Sequence, residues 1–234
     1  MTPVLATPAQ KFIDSVLAFR PRLAVFDCDG TLWDADAGEQ FFYWELERGI
    51  IPADVERWAR ARYAEYRAGR VDEETMCGEM VSIHKGISAE WVARFALEFF
   101  ETRIRAKIFT EMKELTRRLG KSGCEMWAIS STNQWVINAG ASWFAIPLER
   151  VIAASVKIEH GVATDQLIRV PTDELKAKAI RELLPRLPDV VFGNSMHDFQ
   201  MMELGARAFA INPNPDLEKV AREREWTIYQ PPKP

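Results

Sequence analysis

The sequence predicts an α/β fold: a Rossmann-like, mostly parallel sheet with helices on both faces and a helical lobe inserted after the first strand. Three observations predict it. Short apolar runs repeatedly break into polar turns, helical segments separate those runs, and the stretch 35–103 holds no convincing strand.

The first run, Leu23 to Phe26, ends in Asp27-Cys28-Asp29-Gly30-Thr31, the pattern of a buried strand entering a tight polar turn. Met126 to Ile129 runs into Ser130-Ser131-Thr132-Asn133, and Val190 to Phe192 into Gly193-Asn194-Ser195. Phe209 to Ile211 does the same before Asn212-Pro213-Asn214-Pro215. Runs without alternation suit strands buried on both faces. Between them, Phe109 to Lys121 repeats Met112, Leu115 and Leu119 at helical spacing and stops near Gly123; Glu174 to Leu184 ends before Pro185.

Within 35–103, Trp91, Phe95 and Phe99 recur at i, i+4, i+8, and Met76, Met80 and Ile83 follow the same period. Pro52, Gly69 and Gly86 punctuate the helices. The stretch is too long for one crossover connection, so it reads as a separate helical cap, with 1–34 and 104–234 forming the sheet domain. Hinges are expected at Trp33 to Ala37 and Arg103 to Lys107, where the chain leaves and rejoins the sheet. His160-Gly161, between two β-capable runs, predicts a small hairpin over 156–168.

Composition narrows the function. The 234 residues are 47% apolar and 27% charged, with a net charge of −4, which is ordinary globular chemistry. Neither a nucleic acid nor a membrane surface is an expected partner, because no basic patch stands out. Apolar runs fall short of the roughly 20 residues of a membrane span. Asp14 interrupts the apolar part that a signal peptide would need. The 3 cysteines, Cys28, Cys77 and Cys124, are odd in number and far apart, which suggests neither a disulfide framework nor a zinc cluster. A reducing cytoplasm and a monomer or homodimer are expected.

Ligands of open parallel sheets gather beyond the carboxyl ends of the strands. Asp27 and Asp29, Ser130, and Asn194 with Asp198 fall at that edge. Two carboxylates two residues apart repel unless positive charge lies near them. Mg²⁺ suits such a place, because it takes oxygen ligands and shares its shell with water and substrate phosphate. Lys176, opening the helix after Pro171-Thr172-Asp173-Glu174, offers further positive charge.

Asp27-Cys28-Asp29-Gly30-Thr31, Ser130, Lys176 and Gly193-Asn194-Ser195-Met196-His197-Asp198 resemble, in order and spacing, the motifs of the haloacid dehalogenase-like superfamily. The chain is most similar to its phosphoserine phosphatase-type branch, with a helical cap and a small hairpin before the lysine. That resemblance implies a phosphatase acting on a small phosphorylated metabolite, phosphoserine among the candidates. Asp27 would attack phosphorus to form an aspartyl-phosphate, while Asp29 would protonate the leaving alcohol and then deprotonate water. Ser130, Ser131, Lys176 and Gly30 would bind the phosphoryl group. The resemblance also implies Mg²⁺ held by Asp27, the carbonyl of Asp29 and Asn194, with Asp198 near or joined through water. Many family members have Asp at the position of Asn194, so weaker metal affinity is expected.

Trp33, Asp36 and Glu39 are the residues expected to read the leaving group. Asp36 or Glu39 could hold an ammonium, and Arg62, Arg67 or Arg70 a carboxylate. Trp33, Trp44, Trp58 and Trp91 could alternatively form an aromatic cage for a quaternary ammonium such as choline, although aromatics at helical spacing more often pack a core. Cys28 is read as packing, His84 and His160 as ordinary surface or loop histidines, and His197 as a neighbour of the site. Phosphotransfer to another alcohol, carbon–halogen hydrolysis, and a binding protein without turnover are the competing functions.

Overall fold

The computed structural model describes residues 7–234. Its strands are β1 (Leu23–Phe26), β2 (Glu125–Asn133), β3 (Val151–Glu159), β4 (Val162–Arg169), β5 (Val190–Gly193), β6 (Arg207–Ile211) and β7 (Thr227–Tyr229). They form one seven-stranded sheet in the order β4-β3-β2-β1-β5-β6-β7. Every neighbouring pair is parallel except the β3–β4 hairpin. Every residue of β1 and of β5 is buried, which is why those runs lack polar alternation.

The helices are α1 (Thr7–Ala18), α2 (Ala37–Glu47), α3 (Ala53–Arg67), α4 (Glu73–Ser82), α5 (Ala89–Phe99), α6 (Thr110–Lys121), α7 (Gln134–Ala141), α8 (Glu174–Leu183), α9 (Phe199–Met202) and α10 (Pro215–Glu223). The two sheet-domain helices read from periodicity are α6 and α8. The hairpin is longer than expected: its turn falls at His160 and Gly161, both at positive φ, but β3 begins at Val151. Its first half pairs in parallel with β2, so it belongs to the buried sheet and only its second half to the hairpin.

Helices α2 to α5 fill the inserted stretch. Side chains of Asp36, Asp72 and Ser88 cap α2, α4 and α5 by accepting from the backbone N–H three residues on. The segments that lead into and out of the helical stretch lie side by side: Asp34 N–H donates to the Lys107 carbonyl at 2.9 Å and Phe109 N–H to that of Leu32 at 3.1 Å. The cap does not have a core of its own. One apolar cluster runs from Phe26 and Ala128 in the sheet through Trp33 and Phe41 to Phe99. The cap is also joined to the hairpin, where Gly86 N–H donates to the Ala163 carbonyl at 2.8 Å and Ala89 N–H to that of Gly161 at 2.9 Å.

His84 corrects the sequence reading. It is fully buried, with Nε2 2.7 Å from Glu45 Oε2 and Nδ1 3.0 Å from the Val81 carbonyl. Its ring lies against Phe41 and Trp135. The aromatic cage is not formed either: Trp33 and Trp44 are in the core, whereas Trp58 and Trp91 are exposed.

Candidate active site

The carboxyl ends of β1, β2, β5 and β6 open into a cavity of about 480 Å³, walled on the far side by residues of α2, α3 and α4. Asp27, Asp29, Gly30, Ser130, Ser131, Lys176 and Asn194 all line it, so the sheet edge brings together what the sequence scatters. Asp36 and Glu39 line it from α2 and its cap.

Asp27 prolongs β1, its N–H donating to the Phe192 carbonyl at 2.9 Å. Its side chain accepts from Lys176 Nζ at 2.8 Å on Oδ1 and from Thr31 Oγ1 at 2.8 Å on Oδ2. Burial and the nearby Asp198 charge push its carboxyl up to about 6, against the opposing pull of Lys176 and Thr31. Lys176 lies only 2.6 Å from Asp198 Oδ1. Burial by itself would depress this ammonium, but Asp198 and Asp27 outweigh it and hold it above the ordinary lysine range.

Asp198 stands one step back from the cavity. Fully buried, it stands behind Lys176 and does not line the cavity. Oδ1 takes Lys176, while Oδ2 accepts from the backbone N–H groups of Asn194 at 2.9 Å and Ser195 at 3.1 Å. Both oxygens are engaged, so Asp198 braces the lysine and the loop. Gly193 makes room for it, since a Cβ there would lie 2.6 Å from Asp198 Cβ.

Asp29 is held by three donors: Trp33 Nε1 and the Ala37 N–H on Oδ1, and Thr132 Oγ1 on Oδ2, each at 2.7 Å. Burial, followed by the Asp36 charge, outweighs those donors and raises its carboxyl to about 7. A group at that value changes protonation state readily near neutrality. Trp33 is therefore not a substrate contact. Its ring is fully buried and stacks edge-on against Phe100, and it meets the site only by orienting Asp29.

Gly30 also needs correction. Its N–H donates to the Trp33 carbonyl at 2.9 Å and so is not free for a phosphoryl oxygen. What it supplies is space: φ is +73°, and a Cβ there would lie 1.9 Å from Asn194 Nδ2. In β2 the register with β3 slips between Ser130 and Asn133, a bulge that breaks strand alternation where the polar run faces the cavity. Ser130 is buried with its Oγ accepting from Thr132 N–H at 3.1 Å, and Asn133 caps α7.

Sequence reasoning missed Thr132, although it stands beside Ser130, because its partner Asp29 lies 103 residues away. It also missed Asn212, at the end of β6, whose Nδ2 donates to the Gly30 carbonyl at 3.4 Å. Cys28 packs in the core as expected. His197 lines the cavity, with Nδ1 2.8 Å from Asp173 Oδ1.

The donors suit a hard cation. Asp27 offers a carboxylate and Asn194 an amide oxygen, beside the main chain of Asp29, all at one cavity. Among the described residues no three His, Cys, Asp or Glu side chains gather as a metal cluster, so the available set is sparse and oxygen-rich. That is the environment in which Mg²⁺ retains several waters.

The far wall carries Asp36, Glu39 and Glu73 together with Tyr63 and Tyr66. Tyr63 donates to Glu39 Oε1 at 2.8 Å, and Tyr66 donates to Glu73. None of the candidate arginines lines the cavity: Arg62 pairs with Glu79, Arg70 pairs with Glu65, and Arg67 is exposed.

Known proteins resemble this chain to different degrees. A histidinol-phosphatase from Neisseria meningitidis is 25% identical over 217 residues, covering 88% of this chain and 97% of its own. A Bordetella pertussis protein of unknown function superposes with a TM-score of 0.77 at 24% identity, over 88% of this chain and 97% of its own. A probable phosphoserine phosphatase from Vibrio cholerae shares the fold at a TM-score of 0.66 and 18% identity, over 88% of this chain and 59% of its own. The family model for haloacid dehalogenase-like hydrolases matches residues 24–203, from β1 through the loop that bears Asn194 and Asp198, and with that span the chain belongs to this family of hydrolases.

Proposed function

We propose that this chain is a Mg²⁺-dependent phosphatase that hydrolyses a small phosphate monoester through a phosphorylated Asp27. The observation that carries the reading is the buried Lys176, held between Asp27 and Asp198 at the floor of a cavity that also presents Ser130 and Asp29. Phosphoryl transfer asks mainly for positioning and charge neutralisation, and these groups offer both.

Asp27 attacks phosphorus and the ester oxygen leaves, splitting one hard hydrolysis into two easier steps. Asp29 gives its proton to the departing alkoxide, then takes one from the water that releases phosphate. Its three donors fix the carboxyl between those steps, and its raised pKa lets it exchange the proton near neutrality. Lys176, Ser130 and Ser131 hold the phosphoryl oxygens. Asp27, Asn194 and the Asp29 carbonyl are the groups that would hold Mg²⁺, which when bound neutralises phosphoryl charge. The three cysteines are unpaired, in keeping with a reducing cytoplasm. Among the described residues no helix is long and apolar enough to cross a membrane.

The names of relatives supply two substrates to try, histidinol phosphate and phosphoserine. The reading is tested by phosphate release from a generic aryl phosphate, with and without Mg²⁺, beside Asp27→Asn. Metal-dependent release of free phosphate, abolished by the substitution and not diverted to added alcohols, is expected. Undiminished activity in Asp27→Asn would overturn the nucleophile, and an inactive parent under varied metals would favour a binding protein.

A further inference from the structure

We infer that the far wall of the active-site cavity selects a leaving group that carries a positive charge and no carboxylate, so that the substrate is the phosphate ester of an amino alcohol. This rests on the phosphatase reading above. In-line displacement places the leaving oxygen on the side of phosphorus opposite Asp27. The leaving group therefore points from the sheet edge toward α2, α3 and α4.

That wall is one-sided in charge. Asp36, Glu39 and Glu73 line it, whereas Lys176 and His197, the cavity's only cation-forming groups among the described residues, belong to the sheet side. The hydroxyls of Tyr63 and Tyr66 donate to Glu39 and Glu73 and fix where these carboxylates stand. Burial first, and then the Glu39 and Glu73 charges, raise the Asp36 carboxyl above its ordinary value. An ammonium on the leaving group would offset those charges. A carboxylate would face three others with no arginine to meet it, since Arg62 and Arg70 are paired with Glu79 and Glu65 away from the cavity. Met76 and Met80 line the same wall and give the carbon skeleton an apolar surface.

The acidic wall gains its meaning from this position. It is the surface that an ester held at Lys176 must meet.

The test compares kcat/KM for phosphoethanolamine (ammonium only), propyl phosphate (neutral), phosphoserine (ammonium and carboxylate) and phosphoglycolate (carboxylate only), with an aryl phosphate as control. Phosphoethanolamine is expected to exceed propyl phosphate by about tenfold, and the two carboxylates to fall below propyl phosphate. Glu73→Gln and Asp36→Asn, made separately, are expected to lower the phosphoethanolamine-to-propyl phosphate ratio by about fivefold each, a ratio unaffected by the folded fraction of either variant. Arg62→Gln is expected to leave it unchanged. Phosphoserine or phosphoglycolate turned over as well as phosphoethanolamine, or a ratio indifferent to both acidic substitutions, would overturn the inference while leaving the phosphatase reading intact. Failure on every ester, the aryl phosphate included, removes both.

Discussion

Lys176 Nζ donates to Asp27 Oδ1 across 2.8 Å, in a pair whose side chains are only 3% and 7% exposed. Such a buried charge pair is unfavourable unless every remaining hydrogen-bonding position is filled. Asp198 fills one on the lysine and Thr31 one on the aspartate. Lys176→Met is therefore expected to lower kcat by about a hundredfold or more, since it removes the cation from the phosphoryl site. Lys176→Arg should not restore it, because a guanidinium fork cannot enter the space of one ammonium. Steady-state kinetics on the aryl phosphate check both.

Asn194 packs against Gly30 at the cavity, where a carboxylate would bring one more negative charge to an oxygen-rich site. Asn194→Asp is expected to lower the half-saturating Mg²⁺ concentration, read both in activity and in a Mg²⁺-dependent rise in melting temperature. An unchanged value in both measurements would contradict the assignment. Chelation of divalent ions should abolish turnover in the parent and the variant alike.

Glu45 and His84 meet at 2.7 Å with neither side chain exposed, and Glu45 Oε1 has no further partner. Removing one member strands the other in the apolar core that cap and sheet share. His84→Ala should cost about 3–5 kcal/mol of stability. The double replacement Glu45→Leu/His84→Phe should cost less than His84→Ala alone. Denaturant titration of the three proteins decides it.

Glu114 and Asp189 are expected to contribute to the acid limb of stability. Hydrogen bonds from Arg117 and Arg118, acting against burial, take Glu114 from 4.5 to about 2. Burial would raise Asp189, but Arg186 and the N–H groups of Arg22 and Leu23 overcome it and lower the group from 3.8 to about 2. Both carboxyls bind protons more readily in the unfolded chain, so their contribution is present above the ordinary carboxyl range and is lost as pH falls toward 2. Melting temperature should drop over that window, and Glu114→Gln should drop it less steeply.

The strand-to-turn grammar made most of the sheet and most of the site legible. β1, β2, β5 and β6 each announce themselves as an apolar run, and the polar residues after them are the ones that line the cavity. What the sequence hid depends on distance along the chain. Asp29 draws Trp33 into the core as an orienting donor, whereas adjacency alone had suggested a substrate contact. Lys176 engages Oδ1 of Asp198 and the loop N–H groups engage Oδ2, which holds it behind the lysine and out of the cavity lining. His84 looked ordinary because Glu45 lies 39 residues earlier. Cap and sheet share one apolar cluster because the aromatic faces of α2 and α5 continue directly into Trp33 and α7.

The most direct test of the account is to trap the covalent intermediate. Rapid acid quench of the enzyme during turnover of an aryl phosphate, followed by borohydride reduction and peptide mass spectrometry, would convert a phosphorylated aspartate to homoserine. The account predicts homoserine at position 27, and none in Asp27→Asn. Conversion at another carboxylate, or full turnover with residue 27 unmodified, would contradict it.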